Sequence, residues 1–207
     1  MARTSRSEAA APPPRGGPPE SPRTRLFVAL ELPEDYRSRL VAWRDEAVAA
    51  REDMRPVAAS ALHVTLVFLG WQAEKDLARV AAVVRRACSG RAPARLLARG
   101  VVGVPSRRPR LFALDLEDGG DATRALQAAL VDELSAARFY GPEKRPFWPH
   151  VTLARVRRGR RAEMLESVEP PPSEPFDSAA VTLYRSTLRP QGALYEPLER
   201  LWLSGRA

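Results

Sequence analysis

The chain has 207 residues and a formal net charge of +8, with 44% hydrophobic and 28% charged side chains, enough for one large domain or two small lobes around a shared core. No apolar run approaches the ~20 residues that span a bilayer, and the N-terminus lacks the apolar core of a secretion signal; a membrane-spanning helix is excluded and a cytoplasmic location is expected. The basic balance favours polyanionic partners through counterion release, although arginine supplies nearly all of it and a GC-rich coding bias gives the same composition.

Residues 1–24, "MARTSRSEAAAPPPRGGPPESPRT", hold almost no large apolar side chain and cannot offset their ordering entropy, which predicts a disordered tail. Order is expected from residue 25 to the end as a single domain. "RLFVALELP" reads as a strand from Arg25 that Pro33 stops, and Pro33 suits the first turn of the helix that follows. Tyr36, Leu40, Trp43 and Ala47 keep helical spacing. A strand over Leu62–Leu69 ends at Gly70. Leu77, Val80, Val84 and Cys88 then mark a second amphipathic helix. Cys88 is the only cysteine, which excludes an internal disulfide and fits a reducing compartment; at the end of an apolar stripe it reads as a small core residue.

Two strands are predicted near Ala94–Val102 and Arg110–Leu116, joined by the basic turn "PSRRPR". A third helix carries Leu126, Leu130 and Leu134 on one face. The loop containing "GPEKRPFWP" leads to a strand over His150–Val156, "EPPPSEP" is another loop, and the last strands fall near Ala179–Arg185 and Ala193–Leu203, with room for a short helix between them. Helices mixed with hairpin-like strand connections predict an α+β fold rather than a doubly wound parallel sheet.

The informative feature is a repeated word. His63 and His150 are the only histidines, and each opens the sequence His-Val-Thr-Leu. Chance recurrence of that triplet after a given histidine is on the order of one in a thousand or rarer. In a strand, side chains alternate between faces, so His63 and Thr65 share one face and His150 and Thr152 another, with the valines and leucines opposite. Each strand presents an apolar core side and a side bearing one imidazole and one hydroxyl, and burying that pair unsatisfied costs roughly 1–3 kcal/mol per group. The polar faces therefore look onto solvent, onto each other or onto a ligand. Two half-exposed sheet histidines are the plain alternative. A zinc site is short of ligands, because no cysteine or carboxylate stands at matching spacing.

Two imidazoles facing one another suit concerted acid–base work. With an ordinary pKa near 6.5, both protonation states are available around neutrality. One histidine can take a proton from an attacking water or hydroxyl while the other gives one to a departing oxygen, as an in-line displacement at phosphorus requires. The threonines can donate hydrogen bonds to non-bridging oxygens. No Gly-rich phosphate loop or nucleophilic serine or cysteine motif competes.

H-x-T-x twice, some eighty to ninety residues apart, resembles the signature of the two-histidine (2H) phosphoesterases. "RLFVALELP", "RPVAASALHVTLVFLG", "RPFWPHVTLARV" and "VTLYRSTLRPQGALYEPL" narrow the resemblance to the bacterial and archaeal RNA 2′,3′-cyclic phosphodiesterases, also called 2′–5′ RNA ligases, over essentially everything from Arg25 onward. The resemblance implies a bilobal fold of two antiparallel sheets with flanking helices about a pseudo-twofold axis, and metal-independent hydrolysis of a terminal RNA 2′,3′-cyclic phosphate to a 2′-phosphate, with no cofactor. It makes His63 the proton donor, His150 the proton acceptor, and Thr65, Thr152 and Arg155 the phosphate ligands. Arg155 poses a difficulty: plain alternation sets it on the face opposite His150, so the strand bulges or ends before it, or the side chain reaches round an edge. Ala61 stands where relatives often carry an amide. Phe27 and Tyr184 are candidates for base stacking, with core packing as the alternative for both. "PSRRPR" and "GPEKRPF" are candidate RNA-backbone contacts. Other readings are a non-catalytic RNA-end binding module, an enzyme acting on a cyclic nucleotide or small cyclic phosphate, and a 2′–5′ ligase. A monomer is assumed, with no membrane partner.

Overall fold

The computed structural model describes residues 22–141, 143, 145–164, 169–189 and 192–205; the segment expected as a disordered tail lies outside them up to residue 21, and the first strand already begins at Arg23. In chain order the elements are β1 (Arg23–Glu31), α1 (Glu34–Val48), β2 (Met54–Pro56), β3 (His63–Ala73), α2 (Leu77–Cys88), β4 (Ala94–Val104), β5 (Leu111–Asp118), α3 (Ala122–Ala136), β6 (His150–Val156), β7 (Phe176–Ser178), β8 (Ala180–Arg189) and β9 (Gly192–Trp202). The fold is α+β, as expected. Every strand pairing is antiparallel.

The strands run β7-β4-β5-β6-β3-β1-β8-β9, with β2 added to β6. The expected two separate sheets are thus one continuous ladder, but with a narrow waist: β3 and β6 meet through the single pair Val64↔Val151. On one side of the waist stand β3, β1, β8 and β9, and on the other β6, β5, β4 and β7.

β1 lies between β3 and β8, so Leu26, Phe27, Val28, Ala29 and Leu30 are all 2% exposed or less, the continuous apolar run of a strand covered on both faces. α2 and α3 pack on each other. Val80, Val84, Leu126, Leu130 and Leu134 join Leu26, Val28, Val64, Leu66 and Val151 in one apolar core, and burial of each such side chain stabilises the fold by roughly 1.5–3 kcal/mol. Cys88 is part of that core at 4% exposure, and burial pushes its thiol up to about 12, so it is inert packing. Two strands of three residues, β2 and β7, have no counterpart in the sequence reading, and β8 and β9 pair as far as Arg189↔Gly192, which leaves no room for the short helix expected between them.

Candidate active site

The waist of the sheet brings the two His-Val-Thr-Leu words together. Counting outward from Val64↔Val151 in an antiparallel pair sets His63 across from Thr152, and Thr65 across from His150. Directly opposed side chains have Cβ atoms about 4.5–5.5 Å apart. All four side chains line one cavity of about 620 Å³, and all four are half-buried, while Val64 and Val151 between them are fully buried.

Each word is followed by the same irregularity. Along β1 and β3 the register passes from Ala29↔Thr65 to Val28↔Val67, which leaves Leu66 as the extra residue. Along β5 and β6 it passes from Ala113↔Thr152 to Phe112↔Ala154, which leaves Leu153 extra. Such a bulge reverses the alternation beyond it. Leu66 and Val67 are therefore buried together, as are Leu153 and Ala154, and the next residue in each strand turns back to the cavity: Phe68 in one, Arg155 in the other. The strand bulges before Arg155, and that is how its guanidinium joins the face of His150.

The histidines are held alike. His150 Nδ1 donates to the Trp148 carbonyl at 2.8 Å, and the His63 ring is hydrogen-bonded to the Ala61 backbone. In both cases the partner is two residues upstream, and for His150 the bond at Nδ1 leaves Nε2 for the cavity. Ala61, in the 3₁₀ turn Ala59–Ala61, thus serves through its carbonyl, which any residue can supply. Each histidine also has a carboxylate across the ladder, Glu31↔His63 and Asp115↔His150. These carboxylates are used differently. Glu31 is engaged by Arg200 at 2.6 Å and accepts from the Thr182 hydroxyl at 2.5 Å and the Tyr184 hydroxyl at 3.3 Å. Asp115 accepts from Trp148 Nε1 at 2.6 Å, and the indole lies on the His150 ring, centroids 4.1 Å apart and planes 14° from parallel.

Burial lowers both imidazole pKa values. His63, beside Phe27 at 5.0 Å and Tyr195 at 5.4 Å, falls to about 4, with an opposing lift from the Ala61 backbone and a further lowering from His150. His150 is lowered by burial, but its bond to Trp148 and the negative charge of Asp115 push the other way.

The cations at the cavity are Arg25, Arg55, Arg155 and Arg189, and none of the described lining residues is acidic. Arg55 and Arg155 are a directly opposed cross-strand pair between β2 and β6. Like charges in that position are destabilising, an arrangement that suits a site built for an anion. Arg25, Arg155 and Arg189 form no ion pair among the described residues. Among the described residues no group of three or more histidine, cysteine, aspartate and glutamate side chains is gathered as a metal would use them.

The stacking candidates and the two basic loops are placed differently from the phosphate-facing residues. Phe27 and Tyr184 do not offer a free stacking face: they stack on each other at 5.1 Å and 16°, Tyr195 closes on Phe27 at 4.8 Å, and Tyr184 is not among the lining side chains. They form the wall behind His63. The open aromatic ring in the cavity is Phe68, 52% exposed. The described residues of "PSRRPR" and "GPEKRPF" also lie outside the lining; Pro142 and Lys144 are outside the described residues. Sequence reading missed Arg25, Arg55, Phe68, Arg189 and Tyr195, which reach the cavity only through long-range pairing.

The sequence matches the family model of the 2′-5′ RNA ligase superfamily over residues 32–189. The chain belongs to the 2′-5′ RNA ligase superfamily. Within it, the chain is 35% identical over 187 residues to an RNA 2′,3′-cyclic phosphodiesterase of Thermus thermophilus, covering 87% of this chain and 91% of that one. It is 33% identical over 194 residues to an RNA 2′,3′-cyclic phosphodiesterase of Escherichia coli, covering 85% and 94%. Among solved structures of this superfamily fold, a crystal structure from Thermus thermophilus superposes with a TM-score of 0.73 at 32% identity, covering 88% of this chain and 100% of that one. E. coli LigT in complex with 3′-AMP superposes with a TM-score of 0.71 at 28% identity, covering 88% and 99%. Among the described residues no helix is long and apolar enough to cross a membrane.

Proposed function

We propose that this chain hydrolyses the terminal 2′,3′-cyclic phosphate of RNA to a 2′-phosphomonoester, with His63 and His150 as acid and base. The observation that carries the reading is the diagonal pair of imidazoles on neighbouring strands that line one arginine-bearing cavity, His150 Nδ1 tied to the Trp148 carbonyl and the His63 ring to the Ala61 backbone. The activity printed for the Thermus and E. coli relatives supports it.

His150 Nε2 takes a proton from water as the water oxygen bonds to phosphorus. The bond from phosphorus to the 3′ oxygen breaks, and His63 gives that oxygen its proton. Asp115 and Glu31 support this division of labour. The Asp115 charge favours a proton on His150, as a base requires, while Arg200 and two hydroxyls occupy Glu31 and leave His63 the stronger acid once protonated. Thr65, Thr152 and Arg155 hold the non-bridging oxygens. An RNA 5′-hydroxyl in place of water gives a 2′–5′ linkage by the same proton transfers.

A bilobal reading of residues 25–207, with pseudo-twofold symmetry, is supported by order and register. β1-α1-β3 corresponds to β5-α3-β6 in the strand order, and the pairs Ala29↔Thr65 and Ala113↔Thr152 precede equivalent bulges. The buried Cys88 thiol fits a reducing cytoplasm.

The test is incubation of a short RNA bearing a 2′,3′-cyclic phosphate in the presence of a chelator, with the product's phosphate located by phosphatase sensitivity and mass. The expected product is the 2′-phosphate. His63→Ala and His150→Ala should each lower kcat/KM by roughly 10²–10⁴; full turnover by either variant would refute the reading.

A further inference from the structure

Beyond the cavity, the reactive face of the sheet continues along β1 and β3 to two side chains that the hydrolytic chemistry does not use. Phe27↔Phe68 and Arg25↔Trp71 are successive pairs on that face, separated by two residues of β1, or about 7 Å at the usual strand rise. Gly70, in the left-handed region at φ 66°, accompanies a second irregularity at Leu69. Trp71 is 57% exposed, a cost that burial in the adjoining core would have spared. Arg25 lines the outer part of the cavity and has no ion pair among the described residues. Arg23 Nη2 donates to the Trp71 carbonyl at 2.8 Å, which adds a second guanidinium to the same strand end. An exposed indole beside uncompensated arginines, continuous with a phosphate-handling cavity, has the chemistry of a single-strand nucleic-acid platform: bases stack on the ring, and the cations neutralise the backbone.

We propose that Trp71 and Arg25 form a subsite for the nucleotide immediately 5′ of the RNA end, with the base on the Trp71 indole and the linking phosphate against the Arg25 guanidinium. The inference rests on the hydrolytic reading above. Phosphorus at the histidine pair fixes the terminal nucleotide over the Phe68 end of the cavity. Its 5′ phosphate then leaves along the strand direction that leads to Arg25. A mononucleoside substrate has nothing to place there, so the subsite contributes to selection of oligonucleotide ends over free cyclic nucleotides.

The test compares adenosine 2′,3′-cyclic phosphate with the adenosine dinucleotide bearing the same cyclic end, using the full chain. Wild type should show kcat/KM at least fivefold higher for the dinucleotide, the lower bound of one base–aromatic stack. Trp71→Ala should bring the two substrates within about twofold while leaving mononucleotide turnover unchanged, and Trp71→Phe should restore part of the preference. Arg25→Gln should lessen the salt dependence of dinucleotide KM. Mononucleotide hydrolysis with the same dinucleotide preference in wild type and Trp71→Ala would overturn the subsite and leave the hydrolytic reading standing. Turnover of neither substrate by wild type would overturn the hydrolytic reading, and the subsite with it.

Discussion

The Trp148 indole lies flat on the His150 imidazole, and the Asp115 carboxylate that holds the indole nitrogen is also the cross-strand partner of that histidine. One carboxylate thus fixes the ring that packs on His150 and biases the charge of that histidine. Asp115→Asn keeps a hydrogen-bond acceptor for the indole and removes the charge. The Asp115 charge raises the His150 pKa, so its loss lowers it. The limb of kcat/KM against pH that reports the His150 ionisation should move to lower pH; a limb that stays in place would count against the charge. Trp148→Ala removes the stack and should cost about tenfold in kcat with little change in KM, whereas Trp148→Phe should recover most of it.

Arg55 and Arg155 face each other across β2 and β6 at the cavity. Their repulsion opposes folding, and a bound phosphate offsets it. Arg155→Gln should therefore raise KM for an RNA cyclic phosphate by about 10–100-fold, in line with loss of one or two charge-assisted hydrogen bonds. The thermal midpoint should be unchanged or slightly higher. Inorganic phosphate should raise the midpoint of wild type more than that of the variant. A variant less stable than wild type without phosphate would show that the pair is not held against repulsion.

Much of this site was legible before any coordinates. The repeated word named both histidines and both threonines, and helical spacing located α1, α2 and α3. The Arg155 difficulty also carried its own answer. In both copies two apolar residues follow the threonine, Leu66-Val67 and Leu153-Ala154, a break in alternation that signals a bulge, and reading it would have pointed to Phe68 as the counterpart of Arg155. Arg55 was not legible, because β2 has three residues and its place depends on pairing with a strand about a hundred residues away. Arg25 and Tyr195 reach the cleft through β1 and β9 for the same reason. Phe27 took the core-packing alternative, at 2% exposure, because β1 is central in the sheet, which no local pattern separates from an edge strand.

Phe68 is the aromatic ring left open in the cavity, and its place opposite Arg155 in the pseudo-symmetry suits the nucleoside rather than the phosphate. Phe68→Ala should raise KM for adenosine 2′,3′-cyclic phosphate by about fivefold or more, as loss of one stack does, with kcat nearly intact because the ring has no group that gives or takes a proton. Phe68→Tyr should behave as wild type. Since the side chain is 52% exposed, the thermal midpoint should hardly move. A fall in kcat with KM unchanged would assign Phe68 to the chemistry instead.

His63 gives the fold a dependence on pH that can be read without substrate. Its folded pKa, about 4 because of burial, lies below the unfolded value near 6.5, so between those two values the unfolded chain binds more protons and stability rises with pH. Acidification from pH 6.5 to 4 should lower the thermal midpoint of wild type more steeply than that of His63→Gln, which has no such proton to take up. A phosphate monoester in the cavity should oppose this loss, because an anion beside the imidazole favours its charged form, and the gain in midpoint from inorganic phosphate should accordingly be larger at pH 5 than at pH 7. In His63→Gln that part of the pH dependence should vanish. If wild type and His63→Gln lose stability in parallel over this range, the imidazole is not held neutral by its aromatic wall, and the acid assigned to the 3′ oxygen loses the environment that makes it strong.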